Sequence, residues 1–329
     1  MTALVTGANG FVGAAVVRAL LAEGRRVRAM VRAGSDLQNL VDLDVELAYG
    51  DLSQPATLQA AISGCRHVLH VAADYRLWVP DPAAMHASNV DGSVHVLEAA
   101  AAGGAQAMVY TSSVAVLGIK ADRTAGDEDT PVSLGDMIGP YKRSKFLAEQ
   151  AVLKRAAELG FPVVVVNPST PVGPGDIKPT PTGRMIVDAA SGRIPAYVDT
   201  GLNLVHVDDV ARGHLLALQA GRSGERYILG GTDMSLKQIL ALVAAETGRK
   251  APRLRLPRWP LYPAAWCAEQ IARATGKPPV VSIDELRMSA KHMYFSSAKA
   301  ERELGYTHRP AEHAVADAID WFRRHSYID

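Results

Sequence analysis

Thr6-Gly7-Ala8-Asn9-Gly10-Phe11-Val12-Gly13 is the stretch whose reading decides the fold of this chain. A short apolar run, Ala3-Leu4-Val5, leads into it, and apolar residues at helical spacing leave it: Val12, Val16, Val17, Leu20 and Leu21. The pattern predicts a buried strand turning into a helix, whose first backbone N–H groups and dipole favour an anion. Gly7 permits the tight turn, Gly10 lets the backbone approach a pyrophosphate, and Gly13 lets the helix pack closely on the strand. With Asn9, Phe11 and Val12 they make a candidate cofactor cradle. The spacing is G-x-x-G-x-x-G, not the G-x-G-x-x-G of the common dinucleotide fingerprint. A strand-to-helix turn that binds nothing is the alternative on this stretch alone.

Outward from the turn, short apolar runs alternate with helical patterns. Strands are expected over 3–6, 26–31, 45–49, 67–71, 106–111 and 162–167, with helices near 12–23, 55–63, 85–103 and 141–159. Such alternation reads as βαβ units and a parallel sheet. Val163-Val164-Val165-Val166 has the continuous β-branched character of a strand buried on both faces. The expected class is therefore α/β, a doubly wound parallel sheet of the Rossmann type with a smaller C-terminal substrate lobe. Residues 1–167 make the nucleotide-binding domain, to which the chain returns near 204–225. Residues 168–203 and 226–308 make the lobe, and 309–329 a C-terminal helix, patterned over about 311–325 and expected to pack outside. Asp208 is the expected N-cap of the helix through Leu215-Leu216-Ala217-Leu218, and His206 reads as structural or pocket-rim.

Bulk properties narrow the function. At 329 residues with a net charge of +1, the chain can bury a large core and carries no basic footprint for nucleic acid. Cys65 and Cys267 offer neither metal-ligand spacing nor a disulfide framework, so a reducing cytoplasm is expected. The first strand begins too early for a signal peptide, and no apolar run approaches the roughly 18 residues needed to span a bilayer.

Open α/β sheets bind ligands at strand ends, and the candidates fall there. Arg32 ends the second strand, where an acidic residue would bind a ribose 2′-OH; a guanidinium suits a 2′-phosphate instead, which favours NADP(H) over NAD(H). A solvated surface arginine is the alternative. Asp51 and Leu52 follow the third strand, with Asp51 placed to accept from an adenine amino group or to cap a helix. Ala72 and Ala73 follow the fourth, small enough for a ribose or nicotinamide to approach, or simply packing residues. Asn89 lies on a helix that reaches the same edge, Thr111 and Ser112 end the fifth strand, and Pro168 and Ser169 end the sixth.

The reacting groups are expected from Tyr141-Lys142-Arg143-Ser144-Lys145, which opens a helix after Gly139-Pro140. The four-residue spacing puts Tyr141 and Lys145 on one face, where an ammonium would lower the phenol's pKa. A phenol so tuned exchanges a proton with an alkoxide near neutral pH, while Ser113 hydrogen-bonds the substrate oxygen. Lys145 can also hold ribose hydroxyls.

The ordered set Gly7, Gly10, Gly13, Ser113, Tyr141 and Lys145 resembles the extended short-chain dehydrogenase/reductases over nearly the whole chain. The resemblance implies a Rossmann fold, a nicotinamide cofactor, and catalytic roles for Ser113, Tyr141 and Lys145. Val31-Arg32 and the stretch Tyr294–Ala300 look like the dihydroflavonol-reductase-like branch, many of which use NADPH. The stretches His70–Trp78, Asn167–Pro174 and Asp199–Val210 look like the hopanoid-associated sugar epimerases. The resemblance also implies a homodimer through the helices near 85–103 and 141–159, with Phe146, Leu147 and Val152 as candidate contacts or sheet-packing residues. The expected activity is an NADP(H)-dependent interconversion of a secondary alcohol and a carbonyl. An NAD-dependent sugar epimerase or dehydratase with internal recycling is the alternative, and a non-catalytic nucleotide-binding regulator the alternative of another class. The substrate is expected to be a small molecule, with a lipid-linked one among the candidates. Between Pro168 and Asp199 the only cations are Lys178, Arg184 and Arg193, which speaks against a nucleotide-sugar diphosphate. Trp78, Tyr75, Tyr197 and Met185 are candidates for an apolar pocket. The apolar stretch Pro257–Trp266 reads as lobe core, as a mouth for a lipid-like substrate, or as a surface resting on a membrane.

Overall fold

The computed structural model describes residues 1–328. Its first half runs β1 (Thr2–Thr6), α1 (Phe11–Ala22), β2 (Arg26–Val31), β3 (Glu46–Tyr49), α2 (Pro55–Ile62) and β4 (His67–His70). A short α3 (Pro82–His86) passes through a π-helical turn over Ala87–Asp91 into α4 (Gly92–Ala102), then β5 (Ala107–Thr111), α5 (Gly139–Leu159) and β6 (Val163–Pro168). The second half runs β7 (Thr170–Val172), α6 (Pro181–Ala190), β8 (Ala196–Tyr197), β9 (Gly201–His206), α7 (Val207–Ala220), β10 (Arg226–Leu229) and β11 (Thr232–Ser235). It ends with α8 (Leu236–Thr247), β12 (Leu254–Arg255), α9 (Leu261–Thr275), α10 (Ile283–Met288), β13 (His292–Met293), α11 (Ala298–Leu304) and α12 (Ala311–Arg324).

All six strands expected from apolar runs are present. They lie in one seven-stranded parallel sheet, ordered β10-β6-β5-β4-β1-β2-β3. The chain winds outward from β1 through β2 to β3, then restarts at β4 on the other side. This reversal opens a crevice between β1 and β4 at the carboxyl ends of the strands. Arg226–Leu229, expected in the lobe, is instead the outer strand of this sheet, paired in parallel with Val165–Pro168. Tyr227, Ile228 and Leu229 are fully buried there, so the run joins the large core.

β9 is the centre of the smaller sheet, bonded to β7, β11 and β13. Its core gathers Ile186 and Val187 from α6, Ile239 and Val243 from α8, and Val315, Ile319 and Phe322 from α12. The last helix therefore does not pack outside: its apolar stripe completes the lobe. The α7 cap also differs from expectation. His206, not Asp208, is the N-cap, its Nδ1 accepting from the Asp208 N–H at 3.0 Å while Nε2 meets Asp317 at 3.0 Å. On α5, Val152 is fully buried in the chain's own core, Leu147 packs against the same cluster, and Phe146 against Val114, Leu117 and Phe295. Internal packing takes up Val152, while Phe146 and Leu147 remain half-buried.

Candidate active site at the carboxyl edge of the sheet

Gly7 leaves β1 with φ +63°, and a Cβ there would lie 2.8 Å from the Ala72 Cα. A Cβ on Gly13 would run into the Gly7 carbonyl oxygen. These two glycines let β1, the β4 exit and α1 meet backbone to backbone. Gly10 is the N-cap of α1 and supplies no side-chain cap, which leaves the first-turn N–H groups of Phe11, Val12 and Gly13 for an anion. Asn9 donates to the Asp36 carbonyl at 3.0 Å, and Asn39 bridges Asn9 to the Gly175 carbonyl at 3.3 and 2.9 Å. The cradle is thereby tied both to the β2 exit and to the lobe.

Arg32 is exposed and makes no ion pair among the described residues. Its field reaches the crevice: Ser53 hydrogen bonds hold the Asp51 carboxyl below the usual range, and Arg32 adds in the same direction. Asp51 uses Oδ1 to accept from the Ser53 N–H and hydroxyl at 2.8 and 2.7 Å. Leu52 packs on Gly92.

Two candidates have their polar groups occupied inside the protein. The Asn89 side chain accepts from the Asp74 N–H at 2.8 Å and donates to the Asp74 carbonyl and the Ser144 hydroxyl, each at 2.9 Å. It clamps the loop carrying Ala72, Ala73 and Asp74 onto α5, so its role here is positional. The Thr111 hydroxyl is bonded to His214 at 2.9 Å and its carbonyl accepts from Lys145 at 2.8 Å. By contrast, the Ser112 and Ser169 hydroxyls are buried at the ends of β5 and β6 without a hydrogen-bond partner among the described residues, as is the Asn167 side-chain Oδ1. Buried hydroxyls without partners are costly unless a ligand completes them. Together with the uncapped helix and the glycine cradle, they fit a nicotinamide dinucleotide.

Tyr141 is half-buried at the start of α5 and Ser113 half-buried beyond β5. Burial raises the Tyr141 phenol above its ordinary pKa, and the neighbouring Ser113 hydroxyl offsets this only in part. This departs from the expected lowering. The reason is where the Lys145 ammonium sits: fully buried, it donates to the Thr111 carbonyl and to the Tyr110 hydroxyl at 3.0 Å, and stands 4.6 Å from the Tyr110 ring centroid. Burial lowers the Lys145 pKa to about 8, against the pull of Glu149 one turn along. Lys142, which no sequence signal singles out, is also buried, with the Met293 sulfur (3.7 Å) as its only side-chain partner among the described residues. It borders a cleft of about 90 Å³ shared with Lys291 and Asp136.

A buried polar network under the crevice gives a stability prediction. His70 bonds Thr6 at 2.7 Å and Ser93 at 3.0 Å, and the Thr6 hydroxyl accepts from the Val71 and Ala72 N–H groups. Burial pushes His70 down to about 3 and His214 to about 4. Between those values and their unfolded pKa near 6.5 the unfolded chain binds more protons, so stability is full above about pH 6.5 and falls as pH drops. Urea midpoints measured from pH 7 to 4 should fall, and His70→Gln should flatten the slope; an unchanged slope would refute the assignment.

The NAD dependent epimerase/dehydratase family model matches residues 3–230. The chain belongs to this family. Within this epimerase/dehydratase family it is 46% identical over 328 residues to a Synechocystis sp. protein provisionally named dihydroflavonol 4-reductase, covering 98% of this chain and 95% of that one. It is 35% identical over 330 residues to sterol demethylase protein B of Methylococcus capsulatus, covering 100% of both. The solved structure of gox2253 superposes with a TM-score of 0.90 at 53% identity, over 100% of this chain and 99% of that one. The expected resemblance to extended short-chain dehydrogenase/reductases is borne out, and this member is an NAD(P)-dependent oxidoreductase of that type.

Proposed function

We propose that this family member interconverts a secondary alcohol and a ketone or aldehyde with NADP(H), taking a largely apolar substrate. The observation that carries the reading is the placement of Tyr141, which opens α5 beside the Ser113 hydroxyl at the sheet edge where the Ser112 and Ser169 hydroxyls are buried without partners among the described residues. A phenol placed there is the proton donor that carbonyl reduction needs. In reduction, Tyr141 gives its proton to the carbonyl oxygen while the Ser113 hydroxyl donates a hydrogen bond to the same atom. Lys145, fixed by Thr111 and Tyr110, is the group that would hold the cofactor ribose, with Gly10, Phe11, Val12 and Gly13 on the pyrophosphate. Ala72, Ala73, Ser112, Pro168 and Ser169 would line the nicotinamide end. When bound, the nicotinamide supplies the hydride.

Arg32 supports NADP(H): it is exposed at the β2 end with no internal partner, as a 2′-phosphate ligand must be. The relatives' names, one for a dihydroflavonol and one for a sterol, support a ring-bearing substrate rather than a nucleotide sugar. The purified protein should release little nucleotide on denaturation and should bind NADPH more tightly than NADH. Arg32→Ala should weaken NADPH by about tenfold or more and leave NADH within about twofold, because a charge-assisted contact to phosphate is lost. Stoichiometric release of NAD⁺, with equal losses for both cofactors in the variant, would instead favour an internally recycling epimerase.

A further inference from the structure

The helix α9 is built inside out. Its buried positions are small, Ala265 and Ala272, one stripe seven residues apart. Its solvent face carries Pro263, Trp266, Cys267, Ile271 and Ala274. Trp266 is 55% exposed, Ile271 64%, and the flanking Trp259, Leu254 and Val280 76%, 60% and 100%. A water-facing helix normally shows the opposite pattern. Of the alternatives for Pro257–Trp266, lobe core does not hold at Trp259 and Trp266.

The same segment carries a local excess of positive charge. Residues 249–280 hold seven lysines and arginines against one carboxylate, a net +6 in a chain whose total is +1. That carboxylate, Glu269, turns inward and accepts from the Ile283 N–H at 2.8 Å. Lys250, Arg253 and Lys277 are exposed and enter no ion pair among the described residues. No helix among the described residues is long and apolar enough to cross a membrane.

We propose that α9 and its flanks dock the protein on an anionic lipid surface, with Trp259, Trp266 and Ile271 entering the headgroup region and the exposed cations of the same segment, Lys250, Arg253 and Lys277, meeting lipid phosphates. Exposed tryptophan and aliphatic side chains accompanied by Lys and Arg are what such an interface selects. A second copy seated face to face would bring the unpaired Lys250, Arg253 and Lys277 of both copies together, which opposes self-association. Nucleic acid would satisfy the cations but leave Leu254, Ile271 and Val280 in water. The inference is independent of the active-site reading, since its test involves neither substrate nor nucleotide.

The full chain should co-sediment with vesicles of phosphatidylcholine containing about one-third phosphatidylglycerol, and far less with phosphatidylcholine alone. Salt at about 0.5 M should release it. Trp266→Ser with Ile271→Ser, and separately Lys250→Ser with Arg253→Ser and Lys277→Ser, should each weaken partitioning at least about tenfold. Both sets are exposed, so melting temperatures should stay at the parent value and exclude misfolding. Absence of vesicle binding, or binding that both variant sets leave unchanged, would overturn the proposal. So would a dimer that the apolar pair dissociates without any vesicle binding, or a single-stranded DNA retained more tightly than the vesicles.

Discussion

Tyr141→Phe should lower kcat for carbonyl reduction by about a hundredfold to ten-thousandfold, the usual worth of one positioned proton donor. NADPH affinity should stay within about threefold, because the ring that packs at the start of α5 is retained and only the hydroxyl is lost. The asymmetry is the useful part. A structural tyrosine in this half-buried position would change stability and leave chemistry proportional to the folded fraction. A proton donor changes kcat at unchanged melting temperature and cofactor affinity. Steady-state kinetics with NADPH, paired with fluorescence titration of the cofactor, separate the two. Turnover at the parent level would mean that the proton comes from elsewhere.

The sheet was legible because its strands are short, apolar and punctuated by helical spacing. A βαβ pattern of that kind leaves few topologies open. Arg226–Leu229 escaped because the run is only four residues long and opens on a charged residue, Arg226, which weakens its apolar pattern. The site was legible as a set of positions and less so as a set of side-chain directions. A strand end says that Thr111 and Asn89 lie near the crevice, yet the partners that take up their polar groups, His214, Asp74 and Ser144, are 103, 15 and 55 residues away in sequence. The i,i+4 spacing of Tyr141 and Lys145 likewise fixes a shared helix face. It does not say that the Thr111 carbonyl and Tyr110 hydroxyl hold the ammonium, which only the β5–α5 packing decides. For the same reason the Thr6–His70–Ser93 network had no sequence signal: each contact joins a different strand or helix.

Gly13→Ala should abolish tight nucleotide binding and destabilise the fold, although alanine is the better helix former by about 1 kcal/mol. The competing term is larger. The new methyl would run into the Gly7 carbonyl oxygen, and the next atoms it meets are the Gly7 carbonyl carbon at 2.8 Å and the Ala8 Cα at 3.1 Å. All three belong to backbone, and Ala8 itself is fully buried, so no flexible side chain can yield. Relief requires α1 to move off β1, at a cost of about 1–3 kcal/mol for overpacking. That movement also shifts the open N–H groups of Phe11 and Val12 that the anion needs. Gly10→Ala makes the contrast, since its Cβ would stand 3.2 Å from the same oxygen and a few tenths of an ångström of adjustment suffice. The expected order of melting temperature is therefore parent, then Gly10→Ala, then Gly13→Ala. A Gly13→Ala protein that melts higher than the parent and binds NADPH equally well would show that helix propensity outweighs the contact, and that α1 does not sit against the turn through Gly13.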